Sequence, residues 1–81
     1  MDVYYLPGYE RRARQLFTED ERNAAELEIV GAPLLWPVIR GTGGARKARV
    51  ARGSRGKSGG ARIIYYIVVR GDAIYLLDVY T

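Results

Sequence analysis

Residues 41–66 read GTGGARKARVARGSRGKSGGARIIYY. Between Arg46 and Ala51 the chain alternates, Lys47 and Arg49 against Ala48 and Val50, which predicts a half-buried strand with a cationic outer side. Arg52 to Gly60 follows as a nine-residue stretch with four glycines, two serines, Arg55 and Lys57, a loop expected to stay mobile until it meets a ligand. Ala61 to Val69 is then a strand by its β-branched and aromatic content. Arg46, Lys47, Arg49, Arg52, Arg55, Lys57 and Arg62 all fall in this run, with no carboxylate among them. Such a run needs an anionic partner more than it needs a core.

Upstream, Val3 to Leu6 is a short β-prone segment stopped by Pro7-Gly8. Tyr9, Ala13, Leu16 and Phe17 fall on one helical face, and Thr18 to Glu21 fits a capping box that starts a second helix running to about Val30. Gly31 is expected to end that helix in a left-handed conformation, with Pro33 preventing its resumption. Ala24, Ala25, Leu27, Ile29 and Val30 are its candidate buried residues. Pro37 argues against a central strand over Leu34 to Arg40, so a connecting loop is expected with Trp36 and Val38 against the core, then a flexible lead-in at Gly41 to Gly44. Downstream, the chain turns near Gly71-Asp72 and returns as a last strand, Ile74 to Tyr80. The order strand, two helices, three strands predicts one α+β domain over residues 1–81, with the two N-terminal helices on one face of a small antiparallel sheet.

Composition narrows the function. The net charge of +4 conceals a division: residues 1–39 hold four cations against seven anions, or −3, while residues 40–70 hold nine cations and no anions. That separation suits a polyanion, of which nucleic acid is the commonest in a cell. No stretch has the roughly 20 apolar residues of a membrane span, and no export signal opens the chain, so a cytoplasmic protein without membrane contact is expected. Cysteine and histidine are both absent, which removes disulfides, thiolate and imidazole chemistry and the usual zinc sites; no cofactor and no metal are expected. A DNA-reading helix is disfavoured, because the positive charge lies on strands and a loop.

On the Ala61–Val69 strand, Ile63, Tyr65, Ile67 and Val69 form the wholly apolar side that belongs against the helices, leaving Arg62 and Tyr66 outward beside Lys47 and Arg49. The last strand admits two registers. A two-residue turn at Gly71-Asp72 sets Tyr75, Leu77 and Val79 on the Arg62 side and buries Asp78, whereas a three-residue loop over Arg70-Gly71-Asp72 sets Ile74, Leu76, Asp78 and Tyr80 there. An unpaired buried carboxylate costs several kcal/mol, which favours the second. Gly53 to Ser58 resembles a phosphate-binding loop but has Ala51 where the Walker pattern needs glycine, and a strand where it needs a helix. Nucleotide hydrolysis is therefore disfavoured. Arg55 and Lys57 remain suited to phosphate contacts.

The run WPVIRGTGGARKARVARGSRGKSGGARIIYYIV, followed by AIYLLDVYT, resembles the RelE/HigB superfamily of type II toxins, in particular a HigB-like pattern VI-x-GTGG-x-RK-x-R-x-A, GKSGGAR-[IV]-IYY and IYLL-x-VY. The resemblance covers roughly residues 18–81. It implies an mRNA interferase, a ribosome-dependent endoribonuclease cleaving translated message and held inactive by a cognate antitoxin. By motif, Lys47 and Arg49 match a lysine pair of the second strand and Arg62 an arginine at the head of the third, making these the implied catalytic residues. Arginine at position 49 departs from the pattern, and its permanent charge suits it, with Arg62, to holding the phosphate. A lysine crowded by cations is the group able to exchange a proton with the attacking 2′-hydroxyl, the role expected of Lys47. Arg46, Arg52, Arg55, Lys57, Tyr66 and Tyr80 are the expected RNA contacts. The family continues beyond the point matching Thr81, so an uncovered sheet edge is expected, open to an antitoxin segment or a second copy. The alternative expectation is a catalytically impaired short form that binds RNA or antitoxin.

Overall fold

The computed structural model describes residues 1–53 and 60–81. Most of the expected loop over Arg52 to Gly60, including Arg55 and Lys57, lies outside the described residues. The elements are β1 (Asp2–Tyr5), α1 (Pro7–Leu16), α2 (Glu19–Gly31), β2 (Arg46–Val50), β3 (Ala61–Val68) and β4 (Ala73–Tyr80). The strands lie in the order β1-β4-β3-β2. The α+β architecture is the expected one, with one addition: β1 pairs parallel to β4, so the sheet is mixed.

Pro7 at the first turn of α1 sacrifices no helical hydrogen bond, since that N–H has no intrahelical acceptor. At the start of α2 the Glu21 N–H donates to Thr18 Oγ1 at 3.1 Å and the Thr18 N–H donates to Glu21 Oε1 at 2.8 Å, the reciprocal cap that the sequence predicts. The other end of α2 differs from expectation. Gly31 stays within the helix and is not left-handed; the cap is Ala32, whose N–H reaches the Ile29 carbonyl. Tyr9, Ala13, Phe17, Ala25 and Ile29 bury themselves against Ala48, Val50, Ile63, Tyr65, Ile74, Leu76 and Val79 of the sheet. Each large aliphatic chain so buried contributes about 1.5–3 kcal/mol. Ala24 and Leu27 are exposed instead, because the Ala25–Ile29 stripe faces the sheet and Leu27 falls on the far side of the helix.

Trp36 packs against the core as expected, whereas Val38 is exposed and bridges to Arg46. The expected flexible lead-in is an ordered turn. Thr42 Oγ1 donates to the Ile39 carbonyl at 2.6 Å and accepts from the Ala45 N–H at 3.0 Å. Gly41, Gly43 and Gly44 take the positive φ angles that turn requires.

Neither predicted register describes β4. Val69 to Asp72 form a four-residue connection, with Asp72 at φ 49°, a conformation aspartate tolerates. Ala73 to Leu76 then pair with Val68 to Tyr65, Leu77 is extra, and Asp78 to Tyr80 pair with Ile64 to Arg62. This β-bulge shifts the alternation by one residue. Ile74, Leu76 and Val79 all reach the core while Asp78 stays out of it. Tyr75 therefore joins the open face, and Ile74 and Leu76 do not. Among the described residues no helix is long and apolar enough to cross a membrane.

Candidate nucleic-acid interface

Alternation places the functional side chains. Ala48 and Val50 are fully buried, so Lys47 and Arg49 project from the opposite face of β2; Ile63 and Tyr65 do the same for Arg62 and Tyr66 on β3. Arg49 and Arg62 are directly cross-strand partners, and Lys47 sits opposite Ile64, diagonal to Arg62. Direct neighbours have Cβ atoms about 5 Å apart and diagonal ones about 7–8 Å, so the three cations share one small area of sheet. Like charges directly opposite each other are destabilising. The single carboxylate on this part of the face, Asp78, is opposite Ile64 and is taken by Arg12 of α1 at 2.6 Å, rather than by Arg62. Among the described residues neither Lys47, Arg49 nor Arg62 makes an ion pair. Arg49 instead lies over the Trp36 ring, 6.0 Å from its centroid.

The remaining sequence-predicted contacts divide. Tyr80 is exposed and directly opposite Arg62, and Tyr66 is on the same face. Arg46 is not: it pairs with Tyr65 on the helix-side parity, and its guanidinium donates to the Trp36 carbonyl at 2.5 Å. Arg52 lies near the start of α2, where the Glu21 carboxyl is held below its ordinary range by hydrogen bonds from the Thr18 backbone and then the Gly53 backbone, with the Arg52 charge adding least. Sequence reasoning missed Tyr4 and Tyr75. For Tyr75 the signal was available in IYLLDV, where apolar spacing of two from Ile74 to Leu76, then three to Val79, marks a bulge; the parallel pairing that places Tyr4 left none.

A cleft of about 580 Å³ lies elsewhere, lined among others by Tyr5, Phe17, Arg22 and Glu26. Its two most buried charges, Arg22 and Glu26, are already satisfied: Arg22 pairs with Glu10 and, at 2.8 Å, with Glu26, and the Tyr9 hydroxyl donates to Glu26 at 2.6 Å. Burial, with that bond to a carboxylate, pushes the Tyr9 hydroxyl well above its ordinary range. Such a network braces the helices and offers a ligand little.

No protein-family model matches the chain. Solved structures do. The intact E. coli RelBE toxin–antitoxin complex aligns with a TM-score of 0.72 at 16% identity, over 96% of this chain and 92% of the matched chain. The fold is that of the RelE toxin. The isolated E. coli RelE toxin aligns with a TM-score of 0.71 at 16% identity, over 96% of this chain and 80% of RelE. A mutant E. coli RelE in the free state gives the same score and identity, over 96% and 79%. The α+β expectation and the RelE-like fold implied by the sequence resemblance agree with this match.

Proposed function

We propose that the chain is the toxin of a toxin–antitoxin pair, an endoribonuclease that cuts translated mRNA on the ribosome and is restrained in the cytoplasm by a cognate antitoxin. The observation that carries the reading is the facing pair Arg49 and Arg62, two guanidiniums in direct cross-strand register with no carboxylate partner among the described residues. An RNA phosphodiester supplies the missing negative charge. In the reaction the 2′-hydroxyl oxygen bonds to phosphorus and the bond from phosphorus to the 5′-oxygen breaks, leaving a 2′,3′-cyclic phosphate and a 5′-hydroxyl that takes its proton from water. Arg49 and Arg62 hold the phosphate and the charge that grows on it. Lys47, the one of the three that can exchange a proton, takes it from the 2′-hydroxyl. The RelE-like fold and the RelBE complex support an antitoxin partner for this chain.

Expression of the chain should arrest growth, with relief by co-expressed antitoxin and codon-positioned cuts in translated messages. Lys47→Ala and Arg62→Ala should each slow the cuts by about 10²-fold or more while leaving the protein folded. RNA or antitoxin binding without any cleavage by the unsubstituted chain would instead establish the non-catalytic binding module.

A further inference from the structure

The cations occupy only one end of the open face. At the other, Tyr4 of β1 is in register with Tyr75 of β4, and Tyr75 with Tyr66 of β3. Ile74 and Leu76 are buried on the helix side, so the Tyr75 ring stands on the open face between them. Tyr4 stacks on it with ring centroids 5.0 Å apart and planes inclined by 19°. Tyr4 and Tyr66 are 47% and 37% exposed, enough to offer ring surface to a ligand. Tyr66 is backed by main chain: a Cβ on Gly44 would lie 2.9 Å from its Cε1 atom. Three strands thus contribute to one row of rings running across the sheet, none of whose hydroxyls makes a hydrogen bond among the described residues.

We propose that this row is a stacking shelf for the unpaired bases of single-stranded RNA, entered by nucleotides next to the phosphate held between Arg49 and Arg62. The inference rests on the reading of the open face as RNA-binding and adds where the bases go. From Arg62 to Tyr66 is four residues along β3, about 13 Å at ~3.3 Å per residue. A short run of RNA laid along β3 places its backbone charge at the cationic end and its rings at the aromatic end. Stacking tolerates any base, because every base has a π-face. The shelf therefore favours the presence of a base over its identity.

The test is binding of the full chain, at low salt, to a short fluorescent 2′-O-methyl RNA that cannot be cleaved, compared with the same backbone made abasic. The intact chain should prefer the base-bearing strand by about tenfold or more. Tyr4→Leu and Tyr75→Leu should bring that ratio toward one without weakening abasic binding, and Tyr4→Phe and Tyr75→Phe should keep it. Circular dichroism melts verify folding, and exposed Tyr4 carries the test alone if Tyr75→Leu does not fold. A ratio near one in the unsubstituted chain, or a ratio unchanged by the leucine variants while Arg62→Ala weakens both strands, overturns the shelf and leaves the RNA-binding face standing. Failure to bind either strand removes that face, and the shelf with it. A loss of preference that tracks dissociation of a dimer in sedimentation would show that the row joins two copies, and would overturn the proposal.

Discussion

Arg22 and Arg62 carry the same guanidinium, and their surroundings are opposite. Arg22 joins α1 to α2 through Glu10 and Glu26 and lies against the rings of Tyr5 and Tyr9, 5.4 and 5.3 Å from their centroids. Arg62 faces another arginine across the strand. Charges that hold the fold are matched within it, at the cost of desolvating both signs. Charges left unmatched raise the free energy of the free protein until an anion neutralises them, so under the proposed function the open face stores part of its affinity for RNA as repulsion.

The largest expected effects come from removing each arginine, and they fall on different measurements. Arg62→Ala should lower the rate of message cleavage by about 10²–10³, the usual loss when one preorganised charge-stabilising donor is removed. Its denaturation midpoint should not fall. Arg22→Ala should cost about 2–3 kcal/mol in urea unfolding, because Glu26 loses its counter-charge while largely buried and Glu10 keeps only the longer 3.7 Å pairing with Arg14. A stability loss in Arg62→Ala matching that of Arg22→Ala would erase the distinction between the two faces.

A sharper version reverses one charge. Arg62→Glu places opposite charges at the Arg49 pair, which should add about 0.2–1 kcal/mol to stability while abolishing cleavage. Thermal melts and cleavage assays on the same preparation read both. If the variant is less stable than the parent, the two arginines do not repel and the stored-repulsion argument fails.

The two faces also differed in how far they could be read from sequence. Periodicity located both helices, the Thr18 cap and the outward side of β2 and β3, because each depends only on neighbours in the chain. It did not locate the Glu10 and Arg22 pairing, since the angle between helices decides which charges meet. Nor did it give the register of β4. Strict alternation forces a choice between burying Asp78 and exposing Ile74 and Leu76, and only the extra residue Leu77 avoids both. Tyr75 was lost for that reason, and Tyr4 because a parallel pairing between the first and last strands leaves no local trace. The helical end at Gly31 failed differently: glycine permits a left-handed cap without requiring one.

At the join between the two regions, Gly44 should be intolerant of substitution. Its φ of 130° and the 2.9 Å approach of Tyr66 mean that Gly44→Ala strains the backbone and displaces the ring, costing about 1–3 kcal/mol by urea unfolding. A cost below that range would mean that the ring shifts freely, and a freely shifting ring makes a poor surface for stacking.

The smallest effect concerns the cap that starts α2. The Thr18 N–H, then the Gly53 backbone and Arg52, hold the Glu21 carboxyl below the ordinary carboxylate range. A carboxyl depressed in the folded state binds its proton more weakly there than in the unfolded chain. Its contribution is therefore complete above the unfolded value, near ~4.3, and is lost as pH falls through the folded one. Because Glu21 approaches Gly53, this loss loosens the foot of the basic segment as well as the helix start. Acid unfolding followed by circular dichroism should be shallower in Glu21→Gln than in the parent below about pH 4, with the two profiles parallel at neutral pH. The opposite order, a steeper acid limb in Glu21→Gln, would mean that the carboxylate gains nothing from its donors in the fold, and that the paired charges near α2 are no better matched than the unpaired ones on the sheet.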